Sequence, residues 1–222
     1  MILDIDLVSD FVCPWCFLGK TRLDRALAEL KASRPDIEAR INWLPFFLNP
    51  DTPPAGEPYR AFLEAKFGGA RQADEVLARV ADAAAPDGLA FAFDRIRTRP
   101  STLKAHRLCY RAQSLGWAQG KVQALAGALF SAHFQQGQDI GDSATLADLA
   151  AACGDRRDAV LAYLDGGQDT DKVQRMADGI RSQGIQGVPF FILNRKLAVS
   201  GAQSAAVLGA AILQSLETGK PS

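Results

Sequence analysis

The stretch Asp10-Phe-Val-Cys-Pro-Trp-Cys-Phe-Leu-Gly-Lys20 places two cysteines, Cys13 and Cys16, at the seam between two kinds of pattern. Before it, Ile2–Ser9 alternates apolar and polar residues and then turns apolar, as a strand entering a core does. After it, Leu23, Ala26, Leu27 and Leu30 recur at three-to-four spacing among Arg22, Arg25 and Glu29, the period of a helix. Pro14 suits the first turn of that helix, where its missing N–H would have no partner. Pro35 predicts where it stops. Glu38–Phe47 reads as a second strand, with Pro45 demoting its end to an edge or an exit. The first fifty residues therefore spell strand, helix, strand: a βαβ unit.

The breaker-dense run from Asn49 to Pro58 marks the clearest boundary in the chain. Residues 59 to 165 then carry helical patterning almost throughout, with predicted helices over Tyr59–Phe67, Ala73–Ala85, Ser101–Leu115, Ala118–Phe134 and Ala144–Ala152. Ser101 is read as the N-cap of the third of these, and Asp142 or Ser143 as that of the last. The short piece Arg95-Ile-Arg-Thr-Arg99 is read as a solvated loop. After a helix over Asp171–Ser182 the grammar becomes mixed again. Val188–Leu193 and Lys196–Val199 flank the turn Asn194-Arg195 as a hairpin, and Ser204 caps a last helix to about Leu216.

Lys and Arg together count 25, and so do Asp and Glu. That balance excludes any strong pull toward nucleic acid, an anionic membrane or a polyacid partner. Asp4 and Asp6 stand where a secretory leader would be basic, and no run approaches the length a membrane helix needs, so the chain reads as cytoplasmic. Four cysteines in 222 residues are too few for a disulfide scaffold. Cys109 and Cys153, each alone in helical sequence, read as small buried hydrophobes.

Three readings of Cys13 and Cys16 compete. A structural zinc site needs four ligands, and only His106 and His133 could supplement the pair, so no metal is expected. An inert buried pair leaves the proline and aromatic flanks unexplained. A redox pair uses the whole context. Cys13 falls at a strand-to-helix turn, where unpaired N–H groups and the positive helix end stabilise a thiolate. Cys16, one turn on, is placed to resolve a mixed disulfide, with Pro14 stiffening the turn and Trp15 offering an apolar face to substrate. Val188-Pro189 opens an apolar strand with a residue that cannot donate to the ladder. A cis peptide there would leave the Val188 backbone free to pair with an extended substrate.

C-P-W-C after a first strand, G-V-P-F-F at Gly187–Phe191 and V-S-G-A-Q at Val199–Gln203 together resemble the DsbA-related thioredoxin-fold oxidoreductases. The loop Asn49–Glu57, Phe62–Gly68 (FLEAKFG) and Leu103–Leu108 (LKAHRL) are similar to the cytoplasmic FrnE-like branch. The resemblance spans essentially the whole chain. It implies an α/β protein with a thioredoxin-like fold (βαβ…ββα) carrying a large inserted all-helical domain. Residues 1–50 and 168–222 would form the thioredoxin-like part and 51–167 the insertion. It further implies a thiol–disulfide oxidoreductase or isomerase with Cys13 as nucleophile, Cys16 as resolving thiol and Pro189 as the cis-proline facing them. Pro14, Trp15 and Val188 would touch substrate. The expected partners are protein or peptide thiols and disulfides, with glutathione as a redox partner rather than a cofactor; a homodimer is compatible.

Two departures stand out. The carboxylate that many thioredoxin-like proteins bury six residues before the first cysteine is Leu7 here, with Asp6 and Asp10 off that count, so no proton acceptor for Cys16 is assigned. The Pro-Trp dipeptide also lacks the histidine of the strongly oxidising members, which points to a less oxidising pair. The competing function on the same scaffold is a glutathione-dependent isomerase or kappa-class transferase acting on small aromatics; retention of Cys16 argues against it. A peptide-binding module built on Phe11, Trp15 and Phe17 is the third reading. His106 and His133, among apolar residues, read as core or surface histidines rather than partners of a cysteine nucleophile, and Phe46-Phe47 and Phe190-Phe191 as core.

Overall fold

A computed structural model describes residues 1–217. The first strand, β1 (Ile2–Ser9), runs into a turn and then helix α1 (Pro14–Ser33), with Pro14 in its opening turn. Strand β2 (Glu38–Pro45) follows, parallel to β1 with Ile5 beside Ile41, as a βαβ crossover requires. It ends at Pro45, two residues before the predicted limit, because the ladder with β1 stops at the Ser9–Pro45 pair.

A two-residue ribbon comes next: β3 (Glu57–Pro58) pairs with β4 (Thr98–Arg99). Between them lie α2 (Tyr59–Phe67) and α3 (Ala70–Ala84). Helices α4 (Leu103–Ser114), α5 (Gln119–Phe134), α6 (Ser143–Ala152), α7 (Arg157–Asp165) and α8 (Thr170–Ser182) then succeed one another. Strands β5 (Phe190–Leu193) and β6 (Leu197–Ser200) form the hairpin, and α9 (Ala205–Glu217) closes the chain. Residues 218–222 of the expected C-terminal part lie outside the described residues. The sheet order is β2-β1-β5-β6, with β5 antiparallel to both its neighbours, giving the α/β, thioredoxin-like arrangement expected.

Because β1 is central, its two faces are both covered. Leu3, Ile5 and Leu7 enter a large core shared with α1, α4, α5, α6 and α9, while Val8 meets Phe46, Ile180 and Ile185 on the other side. The outer edge of β2 is closed by amide side chains instead of a strand. Ile41 N–H donates to Gln119 Oε1 at 2.8 Å, and Gln113 exchanges two hydrogen bonds with the Trp43 backbone. Those bonds satisfy an edge that would otherwise invite pairing and tie the helices to the sheet. Among the described residues no helix is long and apolar enough to cross a membrane.

Some expectations need correction. Arg99 is not solvated: it is 4% exposed, its guanidinium pairs with Glu57 and Thr52 Oγ1, and it lies 4.0 Å over the Phe62 ring. Pairing in the β3–β4 ribbon is what carries it inside. The cap of α4 is Thr102 rather than Ser101, whereas Asp142 does cap α6, accepting the Thr145 N–H at 2.8 Å. Cys153 is only half-buried, unlike Cys109.

Candidate active site

The turn after β1 is built on one residue. Asp10 accepts the Cys13 N–H on its backbone carbonyl at 3.0 Å, and Cys13 in turn accepts the N–H groups of Cys16 and Phe17. Cys13 thereby becomes the N-cap of α1, with extended backbone, and its sulfur stands at the helix end where unpaired N–H groups concentrate. Cys16 lies one turn inside the helix. Both cysteines are thiols; Cys13 is 4% exposed and Cys16 1%, while Trp15 between them is 38% exposed.

The loop before β5 brings the second half of the site. The Val188–Pro189 peptide is cis. The Cys13 thiol points at the Val188 carbonyl oxygen, 3.8 Å away across 175 residues of sequence. Pro189 itself is buried, packed on α1 at Gly19, and Val188 is half-exposed beside the thiol. The structure therefore brings Cys13, Cys16, Pro14, Trp15, Val188 and Pro189 together at one end of the central strand.

The two thiols differ in environment. Burial, and then the neighbouring Cys13 sulfur, push the Cys16 thiol well above the usual cysteine range. The Asp10 backbone and the Ser9 side chain oppose that shift only in part. A thiol at a helix N-terminus and a second, more deeply buried and protonated one behind it make an attacking and a resolving pair chemically possible.

Two residues that sequence reasoning sets aside form a buried pair. Asp10 is 1% exposed and His106, on α4, 5% exposed, with His106 Nε2 3.4 Å from Asp10 Oδ1. The second carboxylate oxygen accepts the Leu48 N–H at 2.9 Å. The signal available in the sequence is a lone acidic residue closing an apolar strand; its partner, 96 residues away, is not locatable by spacing. His133 is buried as well, which drives its pKa down to about 4. Among the described residues no cluster of His, Cys, Asp and Glu could hold a metal ion.

Residues 4–213 match the family model described as a DSBA-like thioredoxin domain. The chain belongs to that family. Family members of this kind are thiol–disulfide oxidoreductases, and this protein is an enzyme of that class. A probable DsbA oxidoreductase from Streptomyces coelicolor is 30% identical, with a TM-score of 0.85 over 99% of this chain and 92% of that one. An uncharacterised Bacillus subtilis protein, YwbO, is 26% identical over 87% of this chain and 88% of its own length. A 2-hydroxychromene-2-carboxylate isomerase shares the fold at a TM-score of 0.69 and 15% identity, covering 98% of this chain and 97% of that one.

Proposed function

We propose that this DsbA-family enzyme is a cytoplasmic oxidoreductase of the FrnE-like branch that exchanges protein or peptide disulfides through Cys13 and Cys16. The observation that carries the reading is the pairing of a thiol at the N-cap of α1 with a second, buried thiol one turn behind it. A monothiol glutathione-dependent isomerase has no use for that second thiol.

In the reducing direction the Cys13 thiolate attacks a substrate disulfide, forming one S–S bond to the substrate and releasing the first substrate sulfur as a thiolate. The Cys16 thiol then loses its proton and its sulfur attacks Cys13 Sγ. The Cys13–substrate bond breaks, the second substrate sulfur leaves, and the enzyme holds a Cys13–Cys16 disulfide. Oxidation of a substrate dithiol is the same sequence reversed, and glutathione is the redox partner that returns the pair to its starting state. Trp15 and the Val188 backbone flank the thiol on the open side, where an extended peptide can lie.

The test is a trap. The Cys16→Ser variant, mixed with glutathione disulfide or a disulfide peptide, should stall as a mixed disulfide on Cys13, seen as a mass increase that dithiothreitol removes. Turnover of an aromatic glutathione-dependent substrate by that variant, with no adduct on Cys13, would move the assignment to the isomerase class.

A further inference from the structure

A cavity of about 370 Å³ lies among the loop that follows β2, the start of α4 and helix α8. Phe47, Pro50, Pro54 and Leu103 give it apolar sides, and Asn49, Gln174 and Asp178 bring polar groups to it. Ser101 and Thr102, at the N-terminus of α4, complete the lining.

That helix start is left open. Its first bond runs from the His106 N–H to the Thr102 carbonyl at 2.9 Å, so the N–H groups of Leu103, Lys104 and Ala105 have no partner among the described residues. Thr102 holds the N-cap position without capping. Its backbone, at φ −86° and ψ 2°, lies outside the extended region from which a cap side chain reaches the helix amides. Thr102 is 5% exposed, yet its hydroxyl has no hydrogen-bond partner among the described residues. A hydroxyl kept in that state costs free energy that valine, of the same shape, would not.

Amide N–H groups at a positive helix end, beside the unpartnered hydroxyls of Ser101 and Thr102, are donors arranged for an anion. No Lys or Arg lines the cavity, whereas Asp178 does, and its carboxylate has no ion-pair partner among the described residues. A doubly charged phosphate would meet that carboxylate with no cation to offset it. A single carboxylate needs only the donors present. The apolar walls suit a residue's side chain, and Asp178 can accept the N–H that precedes a terminal carboxylate.

The loop joins this cavity to the dithiol. Leu48, between Phe47 and Asn49, donates its N–H to Asp10, whose carbonyl holds the Cys13 N–H. Leu48 and Val188 also pack on one apolar cluster, that of Val8, Phe46, Ile180 and Ile185. An extended peptide pairing with the Val188 backbone needs only a few residues, at about 3.3 Å each, to reach the cavity.

Resting on the dithiol reading above, we propose that this cavity receives the C-terminal residue of peptide substrates. The terminal carboxylate accepts from the Leu103, Lys104 and Ala105 amides and from the Ser101 and Thr102 hydroxyls, and the residue's own N–H faces Asp178. The enzyme thereby prefers disulfides that lie close to a free C-terminus.

The experiment uses peptides with one cysteine held as a mixed disulfide with glutathione, about two to six residues before a free C-terminal carboxylate. Each is compared with the same peptide amidated at the C-terminus. Reduction, with glutathione as the reductant, is measured as kcat/KM for wild type, Thr102→Val and Ser101→Ala. The amidated peptide registers any general loss of fold or activity, so the ratio of the two isolates the carboxylate. Amidation should cost wild type at least about tenfold in kcat/KM at the best spacing, carried by KM. In Thr102→Val that penalty should shrink to less than about threefold, and in Ser101→Ala it should shrink by a smaller factor. A penalty of equal size in wild type and both variants, or none at any spacing, would overturn the proposal while leaving the dithiol mechanism standing. Failure of Cys16→Ser to form any adduct with these peptides would instead remove the dithiol reading, and the proposal with it.

Discussion

Pro189 rests directly on Gly19 of α1: a β-carbon added at Gly19 would lie 2.7 Å from Pro189 Cγ and 3.3 Å from Phe191 Cζ. A glycine inside a helix costs about 1 kcal/mol relative to alanine. The close approach of the Pro189 loop to the helix that carries the dithiol explains why it stands there. Alanine at this position gains helix propensity but must displace the loop, and overpacking of this kind costs about 1–3 kcal/mol. Gly19→Ala should therefore be net destabilised in urea unfolding. It should also lose roughly ten- to a hundredfold in disulfide exchange, because the Val188 carbonyl would move away from Cys13. Stability equal to wild type would show that the loop yields freely.

The buried thiols make the reduced protein sensitive to alkali. Burial raises Cys16 well above the ordinary range and pushes Cys109 up to about 12, so the fold favours both in protonated form. Their contribution is full below about pH 8.5, the unfolded thiol range, and is lost as pH rises toward the folded-state values. Each thiol should cost about 1.4 kcal/mol per pH unit in that window. Under reducing conditions Cys109→Ala should lose about 2 kcal/mol less than wild type between pH 8 and 10, measured by denaturant unfolding at each pH.

Acid acts through His133. Its pKa falls from the usual value near 6.5 to about 4 because burial disfavours the imidazolium. The unfolded chain takes up the proton first, so stability is full above about pH 6.5 and declines as pH falls toward 4. His133→Leu should show about 2–3 kcal/mol less loss than wild type between pH 7 and 4.5. Parallel pH profiles for the two proteins would contradict this.

The Arg99 cluster pins the β3–β4 ribbon against α2. Arg99→Ala leaves Glu57 and Thr52 without their partner and removes the contact with Phe62, at a cost of about 1–3 kcal/mol. Arg99→Lys should recover only part of it, since an ammonium cannot reproduce the guanidinium fork or its stacking. Thermal denaturation of the three proteins checks the order.

Much of this molecule is legible in its local chemistry. The bounds of β1, and the start of α1 at Pro14, follow from a change of period and from a residue that fits only a first turn. The Val188–Pro189 cis peptide is readable for the same reason, because few residue types suit that backbone, and the hairpin turn at Asn194-Arg195 from the two apolar runs that flank it. The β3–β4 ribbon is not, because two residues per strand carry no periodicity. Burial of Arg99 and the meeting of Asp10 with His106 depend on partners 42 and 96 residues away. Spacing arguments lose their force at such separations. Counting back from Cys13 passes over Asp10 because it measures sequence position, whereas what ties that residue to the site is a tight turn in which its carbonyl accepts the Cys13 N–H.

The redox equilibrium of Cys13 and Cys16 tests the central claim most directly. Wild-type protein would be equilibrated in glutathione buffers of graded ratio, followed by Trp15 fluorescence against a Trp15→Phe control, with the oxidised product mapped by peptide mass. The account predicts a reversible two-electron transition, a disulfide joining Cys13 to Cys16, and Cys109 and Cys153 still open to alkylation after unfolding. A pair that never equilibrates, or a disulfide that engages Cys109 or Cys153 instead, would contradict it.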